Sequence, residues 1–287
     1  MINFQSSAFT AEERKWIFGW IDSKSSEGTK AAYSETFQQL LDFLSPEISL
    51  RKIELNHLQS FLKKKSHQSP YTQRRHRSAL QSLYSFLCDQ GYLDKNLTRH
   101  LKRIQAPESL SKKYLSEEEV FSLITAEKSE RNKILIKILY VLGLRICEVK
   151  NLKWKDIQDH GSHGLVHVFG KGGKSRSIPL SGSTWNDLKA FRAGKRDFEP
   201  VFTAWNDGEA PLSSDQIQQI VRKAALKAGI TKPVSPHWLR HAHASHALNR
   251  KAPIHMVQAT LGHASIATTG KYSHSNPEES SGSYLAI

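Results

Sequence analysis

Two short runs with β character, joined by a glycine-rich turn, interrupt a chain that otherwise follows helical periodicity. Leu165-Val166-His167-Val168-Phe169 and Ser175-Arg176-Ser177-Ile178-Pro179-Leu180 flank the turn Gly170-Lys171-Gly172-Gly173-Lys174. Apolar, β-branched runs on either side of such a turn read as a hairpin. The other patterned segments repeat their apolar residues at three and four positions, which is the helical spacing. The fold class that follows is mainly α with a small β component.

Residues 1–104 read as a helical domain. Thr10-Ala11-Glu12-Glu13 supplies a cap and an acidic first turn, and Trp16, Ile17, Trp20 and Ile21 form the apolar stripe behind it. A second segment, Ser26 to Leu44, sets Tyr33, Phe37, Leu40, Leu41 and Leu44 at helical spacing, and a weaker third runs from Glu54 to Lys65. A fourth starts near Pro70, aligns Leu80, Leu83, Tyr84 and Leu87, and stops at Gly91. Residues 105–114 have no period and read as a linker. A second domain then occupies 115–287, opened by a capping box in Ser116-Glu117-Glu118-Glu119. Helices are expected over 116–126, 131–142 and 145–152 before the hairpin. After it they are expected over 184–192, 214–228, 236–249, 254–262 and 265–272.

The charge balance narrows the partner. The 41 Lys and Arg residues exceed the 27 Asp and Glu residues by enough to give a net charge of +14, which favours a polyanion. Lys63, Lys64 and Lys65, followed by Arg74, Arg75 and Arg77 on the polar face of the fourth helix, are candidates to track DNA phosphates. A solvated helix face gives the same pattern, so these residues carry weight only with the rest. Cys88 and Cys147 lie in helical patterns and suit free thiols in a reducing compartment. No signal-peptide core is present, and the apolar run Ile134–Leu144 is short and broken by Lys137. A cytoplasmic protein without membrane attachment is expected.

The chemistry-bearing residues fall in the second domain. Arg145 and Arg240 can each donate a planar fork to phosphate oxygens while staying charged. Glu148 lies three residues beyond Arg145, on the same helical face, and can orient it. His237, His241, His243 and His246 crowd one helix, but no H-E-x-x-H, paired cysteine or acidic cluster accompanies them, so no metal site is expected. Gly170-Lys171-Gly172-Gly173-Lys174 lacks the spacing and the following helix of a Walker A loop, so no nucleotide site is expected either.

Taken in order, Gly143-Leu144-Arg145-Ile146-Cys147-Glu148, Ser235-Pro236-His237-Trp238-Leu239-Arg240-His241 and the stretch from Leu261 to His274 bring together two arginines, two histidines and a terminal tyrosine. The last stretch is close to the pattern L-G-H-x-S-I-x-T-T-x-x-Y. This set resembles the active site of the tyrosine recombinases, the phage-integrase family, over roughly residues 110 to 275, with the size and layout of Xer-like site-specific recombinases. The resemblance implies a helical SAM-like N-terminal domain that binds DNA and an α+β catalytic domain. It implies Tyr272 as the nucleophile, His237 as general base, and His263 as a hydrogen-bond donor to a non-bridging phosphate oxygen. Lys171 resembles the lysine that protonates the leaving 5′ oxygen, with Lys174 as its rival or as a phosphate contact. The reaction implied is cleavage and rejoining of DNA through a 3′-phosphotyrosine without ATP, metal or other cofactor. The partners implied are double-stranded DNA with inverted-repeat sites and a homo- or hetero-tetramer on two duplexes. A type IB topoisomerase-like enzyme and a non-catalytic helical DNA-binding regulator are the alternatives. The apolar terminus Tyr284-Leu285-Ala286-Ile287 is further expected to dock on a neighbouring protomer.

Overall fold

The computed structural model describes residues 2–4, 9–105, 115–170, 173, 175–204, 210–263, 265–270 and 272. The chain divides into two compact units, Met1–Glu108 and Ser109–Ile287.

The first unit is built from α1 (Ala11–Asp22), α2 (Glu27–Leu41), α3 (Leu55–Lys64) and α4 (Pro70–Asp89), with short 3-10 turns at Leu50–Lys52 and Leu97–His100. Local chemistry sets the helix starts. Thr10 and Glu13 exchange capping bonds at α1, Ser26 caps α2, and Ser69 caps α4 with Pro70 at its first position. The apolar stripes meet in one cluster around Trp20, Phe37, Leu40, Phe61, Leu80 and Leu83, with Trp20 stacked on Tyr33. Two buried polar groups are satisfied inside it. Glu13 accepts from the Tyr92 hydroxyl at 3.0 Å, and His76 bridges Thr36 at 3.0 Å and Gln68 at 2.9 Å.

The second unit carries α5 (Glu117–Ala126), α6 (Glu130–Val141), α7 (Ile146–Asn151), β1 (Ile157–Asp159), β2 (His163–Phe169) and β3 (Ser175–Ser181). It continues with α8 (Gly182–Phe191), α9 (Ser214–Lys227), α10 (Pro236–Asn249), α11 (Ile254–Leu261) and α12 (Ile266–Gly270). The strands form one antiparallel sheet in the order β1-β2-β3, with Val166 opposite Ile178 and Val168 opposite Arg176. The hairpin expected from the sequence is β2–β3. The strand β1 was not expected, because only Ile157 of its three residues is apolar. It forms by pairing Ile157 with Val166 on an edge that β2 leaves open.

α10 lies among α5, α6, α9 and α11 and is buried on most of its circumference, at Leu239, Arg240, His241, Ala242, Ala244, Ser245 and His246. A helix so placed cannot keep its polar residues in water, so each needs a partner within the protein. Small residues at 242, 244 and 245 let α6 approach, whose Ile134, Leu135, Ile138 and Leu139 are fully buried in the main core. Each such side chain contributes about 1.5–3 kcal/mol relative to exposure.

The α6–α7 turn brings Arg145 toward α10. Gly143 takes φ +57°, and a Cβ there would lie 2.5 Å from Leu261 Cδ2, so only glycine gives both the left-handed turn and the close approach. At the far end α12 is shorter than the expected 265–272 helix. It ends at Gly270, and Tyr272 lies in the turn beyond it.

Candidate active site

Arg240 is the centre of the site. On α10 it is 1% exposed, and its two terminal nitrogens donate to the carbonyls of Gly143 and Leu261, each at 2.6 Å. Burial, with the neighbouring positive charge of Arg145, lowers its pKa to about 10, so it stays charged at neutral pH. Its bonds run to backbone oxygens, which fix its plane while leaving its charge uncompensated by a direct carboxylate bond.

Arg145 occupies the N-cap of α7 rather than its first turn. Its Nη1 donates to Glu148 Oε1 at 2.9 Å and its backbone N–H to Glu148 Oε2 at 2.8 Å, while Nη2 lies 3.4 Å from the Gly262 carbonyl. The orienting role read for Glu148 therefore has a geometric basis. The Glu148 side chain is 1% exposed against 39% for Arg145. Burial alone would raise the Glu148 pKa, but hydrogen bonds from Arg176 and Arg145 outweigh it and hold the carboxyl below its ordinary range.

Around these arginines stand four rings. His237 and His241 meet edge to face with centroids 4.1 Å apart, His241 lies 5.1 Å from the Tyr272 ring, and His263 stacks on Tyr272 at 6.2 Å. His263 binds the Thr269 hydroxyl through Nδ1 at 2.9 Å, which leaves Nε2 for another partner. Burial and the charges of Arg240 and Arg145 lower the His263 pKa to about 4 and also lower that of His237, so both rings are neutral at pH 7. Tyr272 is 7% exposed and packs with Ala244, Val257 and Leu261. Burial raises its pKa and the two arginines oppose that shift, which leaves a protonated phenol beside neutral imidazoles. Such a site can grip a singly charged phosphodiester, accept a proton from the phenol, and form an ester to its oxygen.

Arg145, Glu148, His237, Arg240, His263 and Tyr272 thus converge from α7, α10 and the α11–α12 segment. Lys171, Lys174 and the terminal segment 273–287 lie outside the described residues. His246 hydrogen-bonds the Tyr140 hydroxyl at 2.9 Å, and burial lowers the His243 pKa to about 4. Cys88 and Cys147 are free. In the first unit, Lys63 and Lys64 are exposed. Arg74 Nε donates to the Ile104 carbonyl at 2.9 Å, Arg77 Nη2 to the Leu101 carbonyl at 3.2 Å, and Arg75 pairs with Glu35 at 3.3 Å. These three arginines therefore have partners within their own unit.

Sequence reasoning missed Arg176 and Thr269. Arg176 donates through Nη1 and Nη2 to the two Glu148 oxygens at 2.9 Å each, and through Nε to the Thr260 carbonyl at 2.6 Å. The signal was present: residues 176, 178 and 180 share one strand face, so an arginine stood in line with two core residues and needed an acid.

Comparison with known proteins identifies the family. Residues 113–279 match the phage integrase family and residues 19–91 match the phage integrase N-terminal SAM-like domain. The chain is similar to the tyrosine recombinase XerC of Thermodesulfovibrio yellowstonii, at 29% identity over 87% of this chain and 86% of the relative. It is 30% identical to the tyrosine recombinase XerD of Oceanobacillus iheyensis over 87% of this chain and 88% of the relative. Among solved structures, XerH site-specific recombinase bound to its difH substrate in a pre-cleavage complex superposes with a TM-score of 0.68, at 26% identity over 85% of this chain and 75% of that one. A lambda integrase tetramer bound to a Holliday junction shares the fold, with a TM-score of 0.73 at 17% identity over 93% of this chain and 79% of that one.

Proposed function

The chain belongs to the phage integrase family of tyrosine recombinases, and on that premise we propose how its catalytic unit cuts and rejoins DNA. It is a site-specific DNA recombinase, a reading that the family match favours over a type IB topoisomerase or a non-catalytic regulator. The observation that carries the mechanism is one cluster in which two differently anchored arginines act on Tyr272, His263 stacks on its ring, and His237 stands beside the same arginines.

Arg145 and Arg240 hold the non-bridging oxygens of the scissile phosphate, and the Nε2–H of His263 donates to one of them when Thr269 donates to Nδ1. The Tyr272 oxygen attacks phosphorus in line, and its proton passes to His237. The P–O5′ bond breaks, leaving a 3′-phosphotyrosine and a 5′ oxygen that takes its proton from Lys171, with Lys174 the other lysine of the same turn. The ester conserves the energy of the broken linkage, so rejoining to a second 5′ hydroxyl needs no ATP and no metal ion. By likeness to relatives caught on DNA, the substrate is duplex DNA with inverted-repeat sites, and four protomers act on two duplexes. The net charge of +14 suits that partner. Lys63, Lys64, Lys65, Arg74, Arg75 and Arg77 are the proposed phosphate contacts of the helical first unit.

The test is covalent capture on nicked suicide duplexes carrying randomised inverted repeats, run in EDTA. The wild-type chain is expected to form an adduct that resists denaturation and to select one site. Tyr272→Phe is expected to bind that site with unchanged affinity and to form no adduct. An adduct in the Phe variant, or one that maps to another tyrosine, refutes the assignment.

A further inference from the structure

Arg145 supplies half of the proposed clamp, yet little holds its guanidinium directly. It is partly exposed, its contact to the Gly262 carbonyl is a long 3.4 Å, and its one short side-chain bond among those described is to Glu148. The direction of Arg145 therefore depends on where the Glu148 carboxylate points. Glu148 sits on a helix of only six residues and cannot be fixed by Arg145, which is the group it is meant to orient.

We propose that Arg176 is a positioning residue that aims Arg145 by locking the Glu148 carboxylate to the end of α11. This rests on the functional reading above. Arg176 comes from a different element, β3, where its backbone is held in register with Val168. All three of its nitrogens are spent within the protein, two on Glu148 and one on the Thr260 carbonyl, and its side chain is largely buried. It is thus not free to hold substrate itself. The carbonyl it grips is the first of three in succession: Thr260 accepts from Arg176, Leu261 from Arg240, and Gly262 from Arg145. These are the orphan acceptors at a helix C-terminus, where the partial negative charge favours cations. One helix end is therefore the common reference for both clamp arginines and for the group that orients one of them. A lysine at 176 could not replace the fork, since a single ammonium cannot span two carboxylate oxygens and a carbonyl in that geometry.

The experiment uses the full chain and the site selected by covalent capture. Adduct formation is followed under single-turnover conditions at saturating protein, and affinity by mobility shift. Arg176→Gln and Arg176→Lys are both measured, the second because it keeps the charge and stem if the first fails to fold. The expected result is a rate lower by on the order of 100-fold, the usual consequence of a reactive group displaced by about an ångström, with the Kd changed less than about 3-fold. A 5′-bridging phosphorothiolate, whose sulfur leaves without a proton, should not restore the rate. The double variant with Glu148→Gln should lose no more than the worse single one, because the two act through one contact. A folded Arg176 variant that cleaves at the wild-type rate overturns the proposal. So does rescue by the thiolate, which would place the defect at the leaving oxygen, or losses that multiply in the double variant. A wild-type chain that forms no adduct instead overturns the functional reading and this inference with it.

Discussion

Replacing Glu148 by glutamine changes one oxygen to an amide nitrogen and leaves volume and shape alone. In the wild-type chain the carboxylate receives Arg176 through both oxygens at 2.9 Å, Arg145 Nη1 at 2.9 Å, and the Arg145 backbone N–H at 2.8 Å. Glutamine can accept at one oxygen only, so an NH2 group faces donors on the other side, and two guanidinium groups lose the carboxylate between them. Removing one member of a buried charged set costs about 3–5 kcal/mol, because the remaining charge is left uncompensated. In a unit of this size, each kcal/mol lowers Tm by roughly 2–4 °C. The catalytic unit of Glu148→Gln is therefore expected to melt roughly 6–20 °C below wild type at pH 7 in differential scanning calorimetry. The Glu148 pKa in the folded chain lies below its ordinary 4.5. Its contribution is thus fully present above that value and is lost as the pH falls through the lower folded one. The difference in Tm should accordingly shrink as the pH is taken below 4.5. A variant within about 2 °C of wild type at pH 7, or a gap that persists unchanged in acid, would refute the account of Glu148 as the common counter-charge.

Three other outcomes follow from the same geometry. Arg240→Lys keeps a charge but cannot hold both the Gly143 and Leu261 carbonyls, and single-turnover cleavage should fall on the order of 100- to 1000-fold. His243, with a folded pKa of about 4, stays neutral while the unfolded chain takes up a proton near 6.5. Stability should therefore decline as the pH drops from 6.5 toward 4, and urea titration should show His243 contributing about 2 kcal/mol to the loss at pH 5, which His243→Phe would remove. Gly143→Ala forces a Cβ to within 2.5 Å of Leu261 and into a left-handed conformation, so a loss of about 2–5 kcal/mol is expected by denaturant unfolding; near-neutrality would mean the turn relaxes freely.

What could be read in advance divides along a physical line. Arg145 at the N-cap with Glu148 at the third helical position, and His237 with Arg240 on α10, are each three residues apart, so local spacing alone brings each pair together. The apolar stripes of α1 to α4 and the β2–β3 hairpin were legible for the same reason. β1 was not, because its three residues become a strand only by pairing with β2. Arg176 escaped because its partners lie 28 and 84 residues away, and no period in the chain reports such a distance. Arg74 and Arg77 show the converse. Their exposed-face pattern suggests phosphate contacts but does not show that one donor of each goes to a carbonyl, of Ile104 and Leu101. Tyr272 was legible as the last member of an ordered set, but its burial against Ala244, Val257 and Leu261 is a packing outcome that the local stretch does not encode.

The three successive carbonyls at the end of α11 have a consequence for how this catalytic unit can change over time. A guanidinium that grips a main-chain oxygen is indifferent to the side chain attached to it. The outward positions of α11, such as His255, Met256 and Ala259, can therefore drift without disturbing the grip. Length is another matter. Inserting or deleting a single residue between Pro253 and Gly262 would rotate the helix end by about 100° and carry every acceptor away from its arginine. Among functional descendants of this chain, the outward positions of α11 should vary freely in spelling, while its length should hardly vary at all. Alanine at 255 and 256 and a single-residue insertion scan across 254–261 would separate the two, with the alanines expected to cleave and the insertions expected to be uniformly inactive.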